Sequence, residues 1–147
     1  MLINTAPLSF TEFRDFVISS VDWFIPSLHE MPDLNGWILK MYLNGSMCYV
    51  KSESDLIGLV VTYHNIKDNF VYIPYVCVRS EYQGYGIARQ LIDYIVSKLA
   101  TSVNEVYLEV RKDNKGALHL YKKLGFYEFE DRDLKYLMKK EIQKTDI

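Results

Sequence analysis

The residues best suited to chemistry form a short glycine-containing stretch that directly follows an apolar, β-branched segment: Gln83-Gly84-Tyr85-Gly86-Ile87-Ala88. Glycine lets the backbone approach a ligand closely, and the first N–H groups of a helix have no partner inside the helix. A junction from strand to loop to helix is therefore a ready binding site for an anion such as a phosphate. The same pattern also makes a plain turn and helix start, so a G-x-G pair by itself is a weak signal.

The loop pattern is compatible with two phosphate-containing ligands. A dinucleotide-binding fingerprint needs a small residue where Arg89 stands, followed by several more strand–helix units. Glu109 lies at a suitable distance along the chain to bind a ribose, but too little sequence follows Ala88 to build that fold. The pyrophosphate of an acyl-CoA is the other ligand, and its Gln-x-x-Gly-x-Ala spacing is met by Gln83, Gly86 and Ala88.

A second polar stretch, residues 114–126, follows the loop along the chain. On a helix, Asn114, then Ala117 or Leu118, and then Tyr121 fall on one face because they are spaced by about whole turns. An asparagine at a helix start is usually a cap, and a tyrosine on an apolar face is usually part of the core. Their joint occurrence after a glycine loop favours a binding site shared with that loop.

Hydrophobic periodicity predicts the elements that must position these residues. Ser9 or Thr11 caps the first helix, and Glu12 lies at the capping-box distance from Ser9. Strand 105–110 follows a strand–helix unit, so we expect it to lie parallel to strand 70–78. This element order predicts an α/β (α+β) fold, a mixed sheet with helices on its faces. The predicted helices are 10–24, 34–44, 86–100 and 114–124, and the predicted strands are 2–3, 47–51, 56–64, 70–78, 105–110, 126–130 and 136–142.

Pro74 interrupts the strand that precedes the glycine loop. Proline cannot donate to a strand ladder, so its presence marks an edge strand or a bulge. A bulge would splay strand 70–78 from its neighbour and leave unpaired backbone groups available to a ligand.

Length and composition exclude several classes of protein. The 147 residues, of which 49% are apolar and 24% charged, predict one soluble domain over residues 1–147. A net charge of −2 with scattered basic residues argues against nucleic-acid binding. No apolar window reaches the length of a membrane span, and Cys48 and Cys77 form neither a disulfide framework nor a zinc-binding spacing. We therefore expect a cytoplasmic protein that binds no membrane and no metal.

The glycine loop and the 114–126 stretch together resemble the acetyl-CoA-binding core of the GCN5-related N-acetyltransferase (GNAT) superfamily. The similarity covers about residues 46–130, with both motifs in the family's order and spacing. It implies a single-domain acyl-CoA N-acyltransferase fold: a mixed, mostly antiparallel sheet with a splayed central parallel strand pair and helices on both faces. It also implies an enzyme that transfers an acetyl group directly from acetyl-CoA to a primary amine.

The resemblance implies a role for each matching position. The backbone of Val76 and Val78 would pair with the pantetheine arm, and Asn114 would bond to that arm or lie beside it. The Val78 N–H would stabilise the oxyanion, and Tyr121 would protonate the leaving thiolate as general acid. The backbone N–H groups that would hold the pyrophosphate are those of Gln83, Gly84, Tyr85, Gly86, Ile87 and Ala88.

The general base is less well defined than the other groups. An ammonium must lose a proton before it attacks, so a base, or a base acting through water, is required. Many relatives carry a carboxylate on the strand equivalent to 70–78, but the polar side chains there are those of Tyr72 and Tyr75. Glu109 and His64 are the candidate bases, and a water relay without a dedicated base is the alternative.

The acceptor is expected to enter between the N-terminal helices and the hairpins. It would be a small-molecule amine (an amino acid, an amino sugar or a polyamine-like compound) or a protein terminus. Cys77 beside the thioester could form an acyl-enzyme, although buried free cysteines are common. A sensor that binds acyl-CoA without turnover, transfer to oxygen or of a longer acyl group, and a monomer or a homodimer all stay open. The residues available to the acceptor are Trp23, Glu30, Asp33, Trp37, Tyr42, Tyr63, Tyr127 and Phe129.

Overall fold

Strands and helices follow one another along the chain in the predicted order. The computed structural model describes residues 2–21, 31–99 and 102–143. A short 3₁₀ turn, Ser80–Tyr82, lies in the glycine loop region. The helices are α1 (Phe10–Ser19), α2 (Leu34–Asn44), α3 (Ile87–Leu99) and α4 (Lys115–Lys123), and the strands are β1 (Ile3–Asn4), β2 (Ser46–Ser52), β3 (Asp55–Asn65), β4 (Phe70–Val78), β5 (Glu105–Arg111), β6 (Tyr127–Arg132) and β7 (Lys135–Glu141).

The described strands form one seven-stranded sheet in the order β1-β2-β3-β4-β5-β7-β6. Neighbouring strands pair antiparallel, except β4 and β5, which run parallel. Parallel neighbours need a crossover connection, and α3 supplies it. The predicted mixed, mostly antiparallel sheet with one central parallel pair is therefore confirmed.

Three helices begin at side-chain caps, and Ser9 is one of the two residues that the sequence predicts for the first of them. Ser9, Asp33 and Asn114 each accept a hydrogen bond from the backbone N–H three residues later. Such a cap satisfies one of the N–H groups that a helix start leaves without a partner.

The first helix differs from its prediction in length. It ends at Ser19 rather than continuing towards residue 24, and residues 22–24 lie outside the described residues. The hydroxyls of Ser19 and Ser20 donate to the carbonyls of Phe16 and Val17, each at 2.7 Å. Serine side chains that bond to nearby backbone compete with the helix, which accounts for its end at this point.

Apolar side chains form a separate core on each face of the sheet. On one face, here the α3–α4 face, the side chains of α3 and α4 pack against strands from both halves of the sheet. On the other, the α1–α2 face, α1 and α2 pack against β2, β3 and β4. Helices on both faces are therefore confirmed. Central members are Leu91, Ile92, Leu118 and Tyr121 on the α3–α4 face, and Phe13, Phe16, Ile38 and Met41 on the α1–α2 face.

A bulge at Pro74 reverses the facing of side chains along β4. Val61 of β3 pairs with Tyr75, but Tyr63 pairs with Tyr72, so three steps along β4 match two along β3. The predicted bulge is therefore confirmed, and one inserted residue moves every later side chain to the other face. Val71 and Ile73 pack on the α3–α4 face before the bulge, Val76 and Val78 pack there after it, and Tyr75 and Cys77 pack on the α1–α2 face.

Pairing between β4 and β5 also stops at the bulge. Their parallel register runs only from Phe70 opposite Glu105 to Tyr72 opposite Tyr107. Beyond Tyr72 the two central strands diverge and leave an opening, here called the β4–β5 gap, on the side of the glycine loop. The splayed central pair expected from the sequence is therefore present.

Candidate active site

The glycine loop takes a backbone conformation that its two glycines make possible. Gly84 and Gly86 have φ angles of +87° and +78°, a region in which L side chains are strained. A Cβ added to either glycine would meet no atom within 4 Å. Packing therefore does not explain the two glycines, and both border open space. Ile87, which is buried, fixes the end of the loop in the α3–α4 core.

Several N–H groups at this junction precede the hydrogen-bond ladder of α3. The helix starts at Ile87, and the Gln90 N–H donates to the Gly86 carbonyl at 3.0 Å. The N–H groups of Ile87 and Ala88 therefore have no partner inside the helix. Together with the positive end of the helix dipole they form a surface that favours an anion.

Gln83 makes hydrogen bonds within the protein itself. Its backbone N–H donates to the Ser80 carbonyl at 3.3 Å. Its side-chain Nε2 donates to the Val78 carbonyl at 3.0 Å and so ties the end of β4 to the loop. In this structure Gln83 shapes the junction, and its N–H is less available to a pyrophosphate than those of the residues that follow.

The backbone of β4 presents polar groups to the β4–β5 gap. The Arg79 N–H donates to the Ile57 carbonyl of β3 at 2.8 Å. Successive residues of a strand direct their backbone groups to opposite sides, so Cys77 also bonds towards β3. By the same alternation the backbone groups of Val76 and Val78 face the gap. The two positions predicted to pair with pantetheine therefore lie on the strand edge that β5 leaves unpaired, where the Val78 carbonyl already accepts from Gln83.

Helix α4 places Tyr121 in the apolar core of the α3–α4 face, which also contains Val76 and Val78 of β4. Tyr121 is 8% exposed, and its ring packs edge-on against Phe126 with 5.7 Å between centroids. Burial, and then the neighbouring Cys77, raise the pKa of Tyr121, so its hydroxyl keeps its proton at neutral pH. Asn114 uses its side-chain oxygen to cap α4 at 3.2 Å from the Ala117 N–H, which leaves its amide NH₂ group for a ligand.

The Cys77 thiol is poorly suited to covalent catalysis. It is buried on the α1–α2 face, and burial raises the pKa of Cys77 to about 11. The hydroxyl of Tyr75, itself hydrogen-bonded to Ser20 at 2.8 Å, also interacts with the thiol. Because the thiolate is the nucleophile, a thiol that stays protonated at neutral pH does not form an acyl-enzyme readily.

Glu109 is the candidate base that lies at the β4–β5 gap. Its Oε1 accepts a hydrogen bond from the Tyr72 hydroxyl at 3.3 Å, and its Oε2 lies 3.1 Å from Nη1 of Arg132. Lys135 Nζ is 3.8 Å from Oε1. Glu109 alternates with the buried residues of β5, so it faces the α1–α2 side of the sheet. The sequence indicates Tyr72 as a polar side chain of β4 and Glu109 as a candidate base. It predicts neither the hydrogen bond between them nor the contact of Glu109 with Arg132.

His64 occupies a different part of the sheet. It is exposed and pairs with Val71, before the bulge and at the end of β4 away from the glycine loop. Because Val71 points to the α3–α4 face, the directly paired His64 points to that face as well. The structure therefore brings Glu109 to the gap and leaves His64 apart from it.

Some side chains expected near the acceptor already form hydrogen bonds elsewhere in the fold. The Tyr42 hydroxyl donates to the Leu8 carbonyl at 2.8 Å. Asp33 caps α2. Trp23 and Glu30 lie outside the described residues.

The other four form two groups. Trp37 and Tyr63 are partly buried against the α1–α2 core, on the same face as Glu109. Tyr127 and Phe129 lie on the outer strand β6 and are largely exposed. Trp37 packs edge-on against Tyr75 of β4 and Phe129 packs edge-on against Tyr107 of β5, each with 6.0 Å between centroids, so one member of each group lies beside a strand that borders the β4–β5 gap.

A cavity of about 590 Å³ lies away from this site, lined by residues that include Gly45, Met47, Thr62, Tyr94 and Lys98. It is bordered by the last turns of α3, whereas the glycine loop precedes the first turn of that helix. The cavity is therefore separate from the predicted donor site.

Within residues 2–21, 31–99 and 102–143, no three His, Cys, Asp or Glu side chains cluster as metal ligands would. Over the same residues, no helix has both the length and the apolar character that crossing a membrane requires.

Comparison with known proteins gives a family match over most of the chain. Residues 15–126 match the sequence model described as the Acetyltransferase (GNAT) family. N-alpha-acetyltransferase 30 of Saccharomyces cerevisiae is 38% identical over 56 residues, which are 37% of this chain and 32% of the yeast protein. Spermidine N(1)-acetyltransferase of Vibrio cholerae is 34% identical over 82 residues, 52% of this chain and 46% of that protein. The matches thus span less than half the length of either relative.

The fold is shared with solved structures over nearly the whole chain. The PaiA N-acetyltransferase of Thermoplasma acidophilum, solved in complex with coenzyme A, superposes with a TM-score of 0.75 at 18% identity. The superposition covers 96% of this chain and 99% of the other. At this level of identity the likeness concerns the fold, and it confirms the acyl-CoA N-acyltransferase fold expected from the sequence.

Proposed function

Because this chain belongs to the Acetyltransferase (GNAT) family, we propose that it transfers an acetyl group from acetyl-CoA directly to a primary amine. The observation that carries the proposal is the open backbone edge of β4, which runs along the β4–β5 gap into the glycine loop. An extended ligand arm can pair with such an edge while an anionic group binds at the start of the helix. Coenzyme A has both parts.

The donor would bind along this edge. The backbone of Val76 and Val78 pairs with the pantetheine arm, with the amide of Asn114 beside it. The pyrophosphate lies on the N–H groups of the loop and the first turn of α3. Of the positions expected from the sequence, we retain Gly84, Tyr85, Gly86, Ile87 and Ala88 as principal donors, and Gln83 as the residue that shapes the loop.

Transfer would take place in the gap itself. Tyr121 approaches β4 from the α3–α4 face, and Glu109 approaches the gap from the α1–α2 face. The amine attacks the thioester carbonyl, and the Val78 N–H stabilises the oxyanion. Tyr121 then protonates the leaving thiolate; burial raises the pKa of Tyr121, so its hydroxyl still carries the proton when the thiolate forms.

Glu109 is the base that the geometry favours over His64. It faces the side of the sheet on which the amine would enter, opposite the donor side. His64 lies before the bulge and points to the α3–α4 face. The proton of the amine would therefore leave towards Glu109.

Two acceptor classes are supported by the relatives. The Vibrio relative is named for spermidine and the yeast relative for α-amino groups. Both offer a primary amine, which must lose a proton before it attacks the thioester. We therefore propose a primary amine and test both classes together.

Calorimetry with acetyl-CoA and a thiol-release assay with spermidine and a short peptide bearing a free α-amino group test the proposal. We expect binding and turnover with at least one amine. Tyr121→Phe should lower kcat by about 10²-fold while acetyl-CoA binding changes little, because only the proton donor is removed. Binding without turnover would indicate an acyl-CoA sensor, and no heat at about 1 mM acetyl-CoA would refute both functions.

A further inference from the structure

Side chains from four strands meet where β4 and β5 part, on the α1–α2 side of the sheet. Tyr72 of β4 donates to Oε1 of Glu109 on β5 at 3.3 Å. Arg132 of β6 donates to Oε2 at 3.1 Å, and Lys135 of β7 lies 3.8 Å from Oε1. The carboxylate thus has one oxygen held by a guanidinium and the other bonded to a hydroxyl.

The register places this group at the entrance of the β4–β5 gap. Tyr72 is the last residue of β4 that pairs with β5, directly opposite Tyr107. Glu109 stands two residues further along β5, about 7 Å at the usual rise per residue of a strand. It therefore lies beside the unpaired part of β4 that leads to Val76, and Tyr72 lies between Glu109 and β3.

We propose that the Tyr72 hydroxyl carries the proton of the acceptor amine to Glu109, and that Arg132 is the positioning residue for that carboxylate. The inference rests on the proposed function and adds two residues to it. Neither residue belongs to the glycine loop or to the 114–126 stretch that carries the family resemblance.

The proton transfer balances without any further reactant. The N–H bond of the ammonium breaks and its proton goes to the Tyr72 oxygen, while the proton of that hydroxyl goes to Oε1 of Glu109. The carboxylate becomes a carboxylic acid, the amine becomes neutral, and Tyr72 ends as it began. Burial, and then Glu109, raise the pKa of Tyr72 well above its usual value, which disfavours a free tyrosinate, so the relay requires the two transfers to be concerted.

Arg132 fixes which carboxylate oxygen faces the hydroxyl. Its Nε donates to Oε1 of Glu130 at 2.9 Å, and its Nη1 donates to Oε2 of Glu109. A planar guanidinium held on two sides offers a defined direction to its partner. With Oε2 occupied by Arg132, Oε1 accepts from Tyr72 and has Lys135 Nζ 3.8 Å away.

The test measures kcat and both KM values for Tyr72→Phe, Glu109→Gln and the double variant of the full chain, with spermidine and the peptide as acceptors. Each single change should lower kcat about 10²-fold and leave the KM for acetyl-CoA unchanged. The double variant should fall no more than about threefold below the weaker single variant, because groups that act as one relay are not additive. Tyr107→Phe is the matched control: it is opposite Tyr72 in register and should stay within about twofold of the wild type.

Arg132 is tested with Arg132→Gln and Arg132→Lys. The glutamine variant should lose about tenfold in kcat with an unchanged KM for acetyl-CoA, and lysine should restore part of the loss because its ammonium can still hold one carboxylate oxygen. Equal kcat values for the two variants would overturn the positioning role. Thermal unfolding checks that each variant is folded.

The outcomes separate this inference from the function on which it rests. If the wild type acetylates an amine but Tyr72→Phe keeps its kcat, the relay is refuted and the proposed function stands. Multiplicative losses in the double variant, to about 10⁴-fold, would also refute the relay. If the wild type acetylates neither amine, the proposed function fails, and the relay fails with it.

Discussion

The hydroxyl of Tyr63 leads to a prediction about stability with an unusual sign. Its oxygen is buried and has no hydrogen-bond partner within the described part of the chain. Burial raises the pKa of Tyr63, so the group is a neutral phenol at neutral pH. A buried polar group without a partner costs the free energy of its lost hydration, and Tyr63→Phe removes that group while it keeps the ring. We therefore expect the variant to be more stable than the wild type.

The size of the effect follows from the environment of the ring. An unsatisfied buried hydroxyl costs about 1–3 kcal/mol. The ring as a whole is only partly buried, against the α1–α2 core and beneath Lys40, whose Nζ lies 5.6 Å from the ring centroid, so we take the lower end of that range. For a chain of 147 residues the entropy of unfolding is about 0.3 kcal/mol/K, so about 1 kcal/mol raises Tm by about 3 °C.

Thermal and urea unfolding measure this difference, and Tyr49→Phe is the matched control. Tyr49 lies on β2, and its hydroxyl donates to the Ala6 carbonyl at 2.8 Å. Removing that donor leaves the carbonyl without its partner and should lower the free energy of unfolding by about 1 kcal/mol. The two Tyr→Phe changes should therefore shift Tm in opposite directions. A Tm of Tyr63→Phe below that of the wild type would show that the hydroxyl is bonded in the folded protein and would refute the reasoning.

Two further predictions concern the donor site. Gly86→Ala should lower the free energy of unfolding by about 1–2 kcal/mol because φ is +78°. It should also weaken acetyl-CoA binding more than tenfold in calorimetry, because the added Cβ enters the open space in which we propose that the pyrophosphate binds. Unchanged affinity would remove Gly86 from the site. Cys77 should react with iodoacetamide only slowly at pH 8, and the reaction rate should rise about tenfold for each pH unit up to its pKa of about 11. Cys77→Ala should keep at least about half of the wild-type kcat. An acetyl group trapped on Cys77 and detected by mass spectrometry would instead support an acyl-enzyme.

Much of the fold is predictable because its signals are local. The capping groups Ser9, Asp33 and Asn114 mark helix starts within a few residues, and β4 begins and ends where the β-branched run does. Pro74 predicts the bulge because a missing N–H disturbs the ladder wherever the strand lies. The end of α1 was missed because helical periodicity continues past Ser19, while the serine hydroxyls that compete with the helix leave no periodic signal.

In the candidate site, too, local motifs are predictable from the sequence and contacts between distant residues are not. The glycine loop, Asn114 and Tyr121 are contiguous motifs, so their types and spacing are visible in the sequence. The hydrogen bond between Tyr72 and Glu109 depends on β4 lying beside β5, and the contact of Glu109 with Arg132 depends on β7 and β6 adding to the sheet beyond β5, so both depend on strand order rather than on a local motif.

The bulge determines which β4 residues beyond it share a face of the sheet with Tyr72. With an unbroken alternation, Val76 would share the face of Tyr72, and Tyr75 and Cys77 would lie on the α3–α4 face with Tyr121. The extra residue at Pro74 instead places Tyr75 and Cys77 behind the strand, away from the donor side. The gap opens and the β4 side chains exchange faces at the same bulge beside Pro74, and in the proposed reaction this lets donor and acceptor meet from opposite sides of the sheet.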